Sequence, residues 1–295
     1  MRGLRGRLRL VLVFLGFVLW GDVSCAGPLR VKAMTFNIRL SRADDGENAW
    51  PRRQAMVAEL IRRWGSDFVG VQEAWPEQIA FLSDALPEYR HLGRSREADA
   101  RSGEAVPLFY RHARWSLDAA EHGTFWLSDT PEVPGSIGWG NRIPRVITWG
   151  RFVEKETGRG IYVYNAHLDH LSEASRVKSA AALAERIARR ARPDPVLVLG
   201  DFNSGETSRA IGYLTGVVPG APTRLVDTYR AVHPDVHSVG TYHGFGGSRT
   251  GAKIDYVLAS PPARTLAAEI VHDQRDGRYP SDHFPVTAEV EFPEP

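Results

Sequence analysis

Short apolar runs that stop at an amide, an imidazole or a carboxylate recur along this chain. They are Thr35-Phe36-Asn37, Gln72-Glu73, Asn165-Ala166-His167, Gly200-Asp201-Phe202-Asn203, Ile254-Asp255-Tyr256 and Ser281-Asp282-His283. Each follows or interrupts an apolar run, where burial of a polar group is costly unless that group is paired or holds a metal. Taken singly, an Asp-x-Asn after a strand is a turn, with its carboxylate bonded to its own backbone. A single Asp-His is a surface loop, and a single Asn is a cap. Six such segments, each at the end of a strand, argue instead for one shared site.

The runs between them set the architecture. Leu29 to Ile38 reads as a strand, and Arg52 to Trp64 as a helix with apolar residues at Met56, Val57, Leu60, Ile61 and Trp64. Pro51 suits that helix's first turn. Asp67 to Gln72 is a buried strand and Pro76 to Leu86 a second helix. Val106 to Tyr110, Trp115 to Leu117, Val146 to Val153 and Ile161 to Ala166 read as strands, with a Gly- and Pro-rich loop over 128–145. Ser172 to Arg192 is the strongest helix, capped by Ser172 and stopped by Pro193. Val196 to Leu199, Ile254 to Leu258, Leu266 to Val271 and Phe284 to Val290 complete the strands. Strands outnumber helices, which predicts one α+β domain of two sheets over residues 28–293.

The N-terminus has a different character. Arg2, Arg5, Arg7 and Arg9 precede the apolar run Leu10 to Trp20, and small residues follow at Val23 to Gly27. This describes a secretory signal peptide over residues 1–26, too short for a transmembrane helix. The expected product is secreted or periplasmic. Lipoprotein anchoring through Cys25 is disfavoured by Asp22. The single cysteine excludes an internal disulfide framework and a thiolate zinc cluster. Of 37 Lys and Arg and 35 Asp and Glu, four arginines and one aspartate lie in the leader, so the remainder holds 33 basic against 34 acidic side chains. The basic balance of the whole chain belongs to the leader and does not argue for a nucleic-acid partner.

Glu73, Asp201, Asp255, Asp282, Asn37 and Asn203 offer hard oxygen ligands, which suit Mg²⁺, Mn²⁺ or Ca²⁺ better than zinc. His167 and His283 offer donors to a phosphoryl oxygen. A divalent metal with imidazoles is a set for attacking a phosphate ester with water.

From Thr35 to Pro285 the segments TFN, QE, NAHLDH, GDFN, IDY and SDHFP resemble, in order, the endonuclease/exonuclease/phosphatase superfamily with its deoxyribonuclease-I-like fold. The resemblance implies a four-layer α/β sandwich of two mostly antiparallel sheets packed face to face, with helices outside. It implies Mg²⁺-dependent phosphoester hydrolysis at the rim where the motif loops meet. It also implies roles. Glu73, helped by Asn37, would be the main metal ligand, with Asp282 as a further acid near the metal. Asp201 would orient or deprotonate the attacking water, and Asn203 would help hold the phosphate or that water. His167 and His283 would grip the scissile phosphate, and Asp255 would orient His283. Tyr110 matches a position that assists the site, and Arg145 a basic position near the phosphate. One metal site is expected, with a second left open.

Further segments bear on substrate. The acidic stretch Asp44-Asp45-Gly46-Glu47-Asn48 reads equally as a solvated turn or a substrate or metal loop. Trp126 reads as core, whereas Trp139, in a Gly-rich loop, is a candidate to stack on a sugar or base. Asp169 and His170 extend the His167 motif toward phosphate or leaving group. Arg94, Arg96 and Arg101 read as an exposed basic loop, and no basic track with interleaved aromatics marks nucleic acid. The expected substrate of this secreted branch is a compact phosphoester: a sugar phosphate, an inositol phosphate, a phospholipid headgroup or a nucleotide. The alternatives are a secreted endonuclease for DNA or RNA and a non-catalytic binding module on the same fold. A monomer is expected, with no transmembrane segment in the mature chain.

Overall fold

The computed structural model describes residues 27–294, so the predicted leader over residues 1–26 lies outside the described residues. Twelve strands form two sheets of six. The first holds β1 (Leu29–Asn37), β2 (Phe68–Gln72), β3 (Tyr89–Leu92), β4 (Leu108–Arg111), β11 (Arg264–Ile270) and β12 (Val286–Phe292), in the order β11-β12-β1-β2-β4-β3. The second holds β5 (Trp115–Trp126), β6 (Val146–Glu154), β7 (Gly160–His167), β8 (Val196–Asp201), β9 (Val226–Asp227) and β10 (Asp255–Ala259), in the order β5-β6-β7-β8-β10-β9. Helices α1 (Trp50–Trp64) and α2 (Pro76–Ala85) cover the first sheet; α3 (Glu173–Ala188) and α4 (Arg209–Leu214) cover the second. A short α5 (Thr228–Val232) packs beside β11. This is the four-layer sandwich that the family resemblance implies.

Period-two alternation assigns each strand residue a layer. Leu29, Val31 and Ala33 of β1 face the inter-sheet core with Phe68, Ile161, Val163, Leu197, Leu199 and Val257. Met34 and Phe36 face the other way, against Val57, Leu60 and Ile61 of α1. Carried forward, the same alternation places Asn37, Gln72, His167, Asp201 and Asp255 on the inner faces, at strand ends. The middle of the sandwich is therefore apolar and one rim of it polar.

Pairing direction explains why these ends share a rim. Each sheet contains one parallel pair: β1 with β2, which aligns Asn37 with Gln72, and β7 with β8, which aligns His167 with Asp201. The neighbours β12 and β10 run antiparallel to them, so they begin where the others end. Asp255 lies directly opposite Asp201, and the Ser281–His283 segment enters β12 from the same rim.

One polar crosslink joins the sheets beneath the rim. Gln72 Nε2 donates to Asn165 Oδ1 at 2.6 Å, and Asn165 Nδ2 donates to the carbonyls of Val71 at 2.9 Å and Pro107 at 2.8 Å. Gly70 permits this approach, because a Cβ there would stand 2.6 Å from Asn165 Oδ1. Asn165→Ala strands these partners in a dry interior, at about 1–3 kcal/mol for each unsatisfied group. The expected loss is about 2–4 kcal/mol, read as a lower denaturant midpoint at constant slope. A loss below about 1 kcal/mol would show that the crosslink is idle.

Two boundaries differ most from the sequence reading, and four short elements are missing from it. Helix α3 ends at Ala188, because Pro193 disfavours helical geometry at the residue before it and Arg190 turns back onto Ile187 O and Asp194 O. Strand β5 runs from Trp115 through Trp126, with a register shift between Leu117 and His122 that breaks its alternation. The edge strand β3 and the short α4, β9 and α5 carry too little periodicity to be seen in the sequence.

Candidate active site

The polar rim opens into a half-open cavity of about 420 Å³ lined by Glu73, His167, Asp201, Asn203, Asp282 and His283, among others. Six segments far apart in sequence thus meet at one place. Sharp turns follow the strands: Glu73 and Asn203 have φ of 61° and 47°. Asn203 donates its backbone N–H to Asp201 Oδ1 at 2.9 Å and its side-chain amide to Leu168 O at 3.1 Å. Arg53 of α1, buried, donates to Pro280 O at 3.1 Å, to Arg39 O at 2.8 Å and to Ile38 O. It thereby ties the loop after β1 to the loop that carries Asp282.

The two imidazoles sit in opposite electrostatic settings around Asp201. His283 Nδ1 lies 2.9 Å from Asp255 Oδ2, and its Nε2 lies 3.8 Å from Asp201 Oδ2. Burial alone would lower its pKa. The charge and hydrogen bond of Asp255, with Asp201 and Asp282 nearby, push it up to about 10, so His283 is an imidazolium at neutral pH. His167 Nε2 lies 3.6 Å from the same Asp201 oxygen. Burial and the positive charge of Arg145 push it down to about 3, which leaves it neutral. Environments that separate two like groups in this way assign them different proton roles.

Carboxylates crowd the floor. Asn37 Nδ2 donates to Glu73 Oε1 and to Asp201 Oδ2, both at 3.0 Å. Burial and the Asp255 charge raise the pKa of Asp201; burial and the Glu73 charge raise that of Asp282. Arg39 Nε lies 3.8 Å from Asp282 Oδ2 and binds Asp45 through two nitrogens.

A divalent cation fits this donor set. Asp201, Asp255 and His283 offer ligand atoms all within 4.8 Å of one another. Asp255 and cationic His283 are engaged with each other, however, and an imidazolium offers no lone pair. Glu73 and Asp282 are the better ligands. Each Glu73 oxygen accepts one N–H, from Asn37 and from Leu40, and keeps lone-pair capacity. Hard carboxylate oxygens suit a divalent cation of the Mg²⁺ or Mn²⁺ kind.

Beside His167 stands a second, basic wall. Arg145, 3% exposed, donates to His170 Nδ1 at 2.7 Å and lies 3.6 Å from Asp169 Oδ2. Asp169 Oδ1 also accepts the N–H groups of Leu171 and Ser172. Arg145 and His170 line the cavity; Asp169 supports them from behind. Arg96 and Glu104 line it too, joined at 2.7 Å, with Glu104 Oε1 3.4 Å from His167 Nδ1. Arg96 is therefore part of the cavity rather than of an exposed basic loop.

Two sequence expectations are displaced. Tyr110 lies in the inter-sheet core against Phe152, not in the cavity. Strand β4 runs antiparallel to β2 and pairs Tyr110 with Phe68, at the end of β2 away from Gln72. Trp139 does not line the cavity either; its indole donates to Asp129 at 2.8 Å and carries Lys178 over its ring. Trp126 is core, as expected. The acidic stretch over residues 44–48 is an ion-pairing turn: Asp45 holds Arg39, and Glu47 holds Arg52 and Arg278. Arg39, Arg96, Glu104 and Tyr242 join the site without a motif to announce them.

Residues 34–283 match the family described as Endonuclease/Exonuclease/phosphatase family. A similar solved structure is an endonuclease/exonuclease/phosphatase family protein from Bacteroides thetaiotaomicron. It is 30% identical with a TM-score of 0.83, over 90% of this chain and 99% of that one. A mannosyl-6-phosphatase from the same organism is 30% identical with a TM-score of 0.80, over 88% of this chain and 99% of that one. An uncharacterized protein of Acanthamoeba polyphaga mimivirus is 30% identical over 166 residues, 53% of this chain and 60% of the viral protein. This chain thus spans under two thirds of that relative's length.

Proposed function

The chain belongs to the endonuclease/exonuclease/phosphatase family, and on that footing we propose that it is a secreted, Mg²⁺-dependent hydrolase of compact phosphoesters. The observation that carries this reading is the convergence of two imidazoles, His167 and His283, on one buried carboxylate, Asp201. A bound Mg²⁺ supplies charge neutralisation to a phosphoryl oxygen. Glu73 and Asp282, with Asn37 bracing Glu73, would hold it. Asp201 orients the attacking water and accepts its proton, with Asn203 fixing the rotamer of Asp201 through the 2.9 Å N–H bond. His283 donates to a non-bridging phosphate oxygen as an imidazolium, kept so by Asp255. His167 donates from the opposite side while neutral, and Arg145 adds positive charge behind it.

Secretion is supported by the composition of residues 1–26, and one catalytic domain by the span of the motifs within 28–293. Compactness is supported by the cavity's size and by the 30% identical mannosyl-6-phosphatase. The test uses mature protein with p-nitrophenyl phosphate, bis-p-nitrophenyl phosphate and supercoiled plasmid, each with Mg²⁺. The expected result is turnover of the small esters that falls at least about 10²-fold in His283→Ala. Plasmid nicking faster than small-ester hydrolysis would favour an endonuclease. Equal rates for wild type and a folded His283→Ala would end the hydrolase reading.

A further inference from the structure

Tyr242 is 54% exposed, the one exposed aromatic side chain among the described residues, and it lines the cavity. Its ring meets the ring of His283 nearly edge-on, with centroids 5.1 Å apart. The segment that carries it is anchored to the chemistry. Tyr242 forms a lone β-bridge with His283. On one side, Thr241 O accepts the N–H of Phe284 at 2.7 Å, and Thr241 Oγ1 accepts those of Ile254 and Asp255 at 3.0 and 3.2 Å. On the other, His243 and Gly244 donate N–H groups to Asp282 O, at 2.8 and 3.2 Å, and His243 stacks on Phe284 at 3.9 Å. The backbone that presents this solvent-open side chain is thus anchored by the neighbours of Asp255, Asp282 and His283.

A ring held out on an anchored backbone and packed against His283 suits a stacking surface, since the backbone's ordering precedes a ligand. Arg96, Arg145 and His170 line the same cavity. Arg145 donates to His170 Nδ1, so the neutral ring carries its proton on Nε2 and is a donor there. One aromatic face and a wall of N–H donors match a ring with apolar C–H faces and a hydroxyl edge.

We propose that Tyr242 is the platform for the leaving group and that this group is a sugar, so that the substrate is a sugar phosphate monoester. The proposal rests on the reading of the cavity as a phosphoesterase site. In the reaction the water oxygen bonds to phosphorus as the bond from phosphorus to the sugar oxygen breaks. The sugar oxygen takes a proton, giving free sugar and inorganic phosphate.

The test compares wild type, Tyr242→Ala and Tyr242→Phe on mannose 6-phosphate, methyl phosphate and adenosine 5′-monophosphate, with Mg²⁺. In Tyr242→Ala the preference in kcat/KM for mannose 6-phosphate over methyl phosphate is expected to fall about tenfold, mainly through KM. Tyr242→Phe keeps the ring and should hold that preference within about threefold. Calorimetry in the Asp201→Asn background reads binding without turnover, with inorganic phosphate as the reference. There Tyr242→Ala should weaken mannose 6-phosphate about tenfold relative to phosphate. Equal losses on both esters, or no loss in either measurement, would overturn the platform. A Tyr242-dependent preference for the nucleotide would overturn the sugar assignment. Absence of all turnover in wild type would fail the hydrolase reading, and the binding ratio would still decide the platform.

Discussion

Asp201→Asn is expected to lower kcat by about 10³-fold while KM stays within about threefold, the signature of an interaction made mainly in the transition state. Asparagine keeps the shape, but its single oxygen can accept from only one of the Asn37 amide and the Asn203 N–H, which meet different oxygens of Asp201. It loses the charge that lies 3.6 Å from His167 and 3.8 Å from His283. The same change removes a buried carboxylate that stands opposite Asp255 and whose pKa burial and Asp255 have raised. Thermal unfolding should therefore show equal or greater stability, as when a strained functional group is relieved. A folded variant that keeps a tenth of wild-type kcat would remove Asp201 from the proton path.

Chelation is expected to abolish hydrolysis, and Mg²⁺ or Mn²⁺ to restore it where Na⁺ does not. Glu73→Gln should raise the metal concentration needed for half-activity by at least about tenfold, because one hard anionic ligand becomes a neutral amide. A readout independent of activity is available. Ligand at about 100 times its Kd stabilises the folded state by about 2.7 kcal/mol, a rise of several degrees in Tm for a chain of this size. Wild type should show that rise with Mg²⁺, and Glu73→Gln should lose it at the same concentration. Full activity after exhaustive chelation, with no metal-dependent rise in Tm, would exclude a cation from the mechanism.

The elements that carry the site were legible wherever period and polarity spoke together. Val31, Ala33 and Asn37 lie on one face of β1, and Ile161, Val163 and His167 on one face of β7, so the polar ends could be read as continuing a core-facing row. Strand direction was not legible. Tyr110 and Phe109 look alike in sequence, and only the antiparallel pairing of β4 with β2 sends Tyr110 away from the rim. Glu104, Arg96 and Tyr242 lie outside the helices and named strands, in segments that follow no period, and their arrival depends on bridges such as Ala74 with Ala105 and Tyr242 with His283. In the sequence Asn165 belongs to the Asn-Ala-His segment of the site, and in the fold it is the crosslink beneath the cavity. Its amide is chemically fit for either duty; the neighbouring carbonyls of Val71 and Pro107 decide.

The order of strands also sets a schedule. The first sheet is made from early and late parts of the chain, with β12 lying between β1 and β11, whereas the second comes from the middle. Asp282 and His283 enter just before β12. A chain growing from its N-terminus can complete the second sheet, with His167, Asp201 and Asp255 in place, and still lack the imidazolium and one of the proposed cation ligands. Competence for hydrolysis then appears only when roughly the last tenth of the sequence docks. For a protein proposed to leave the cell, that order keeps the unfinished chain inert among the phosphoesters of the compartment where it is made.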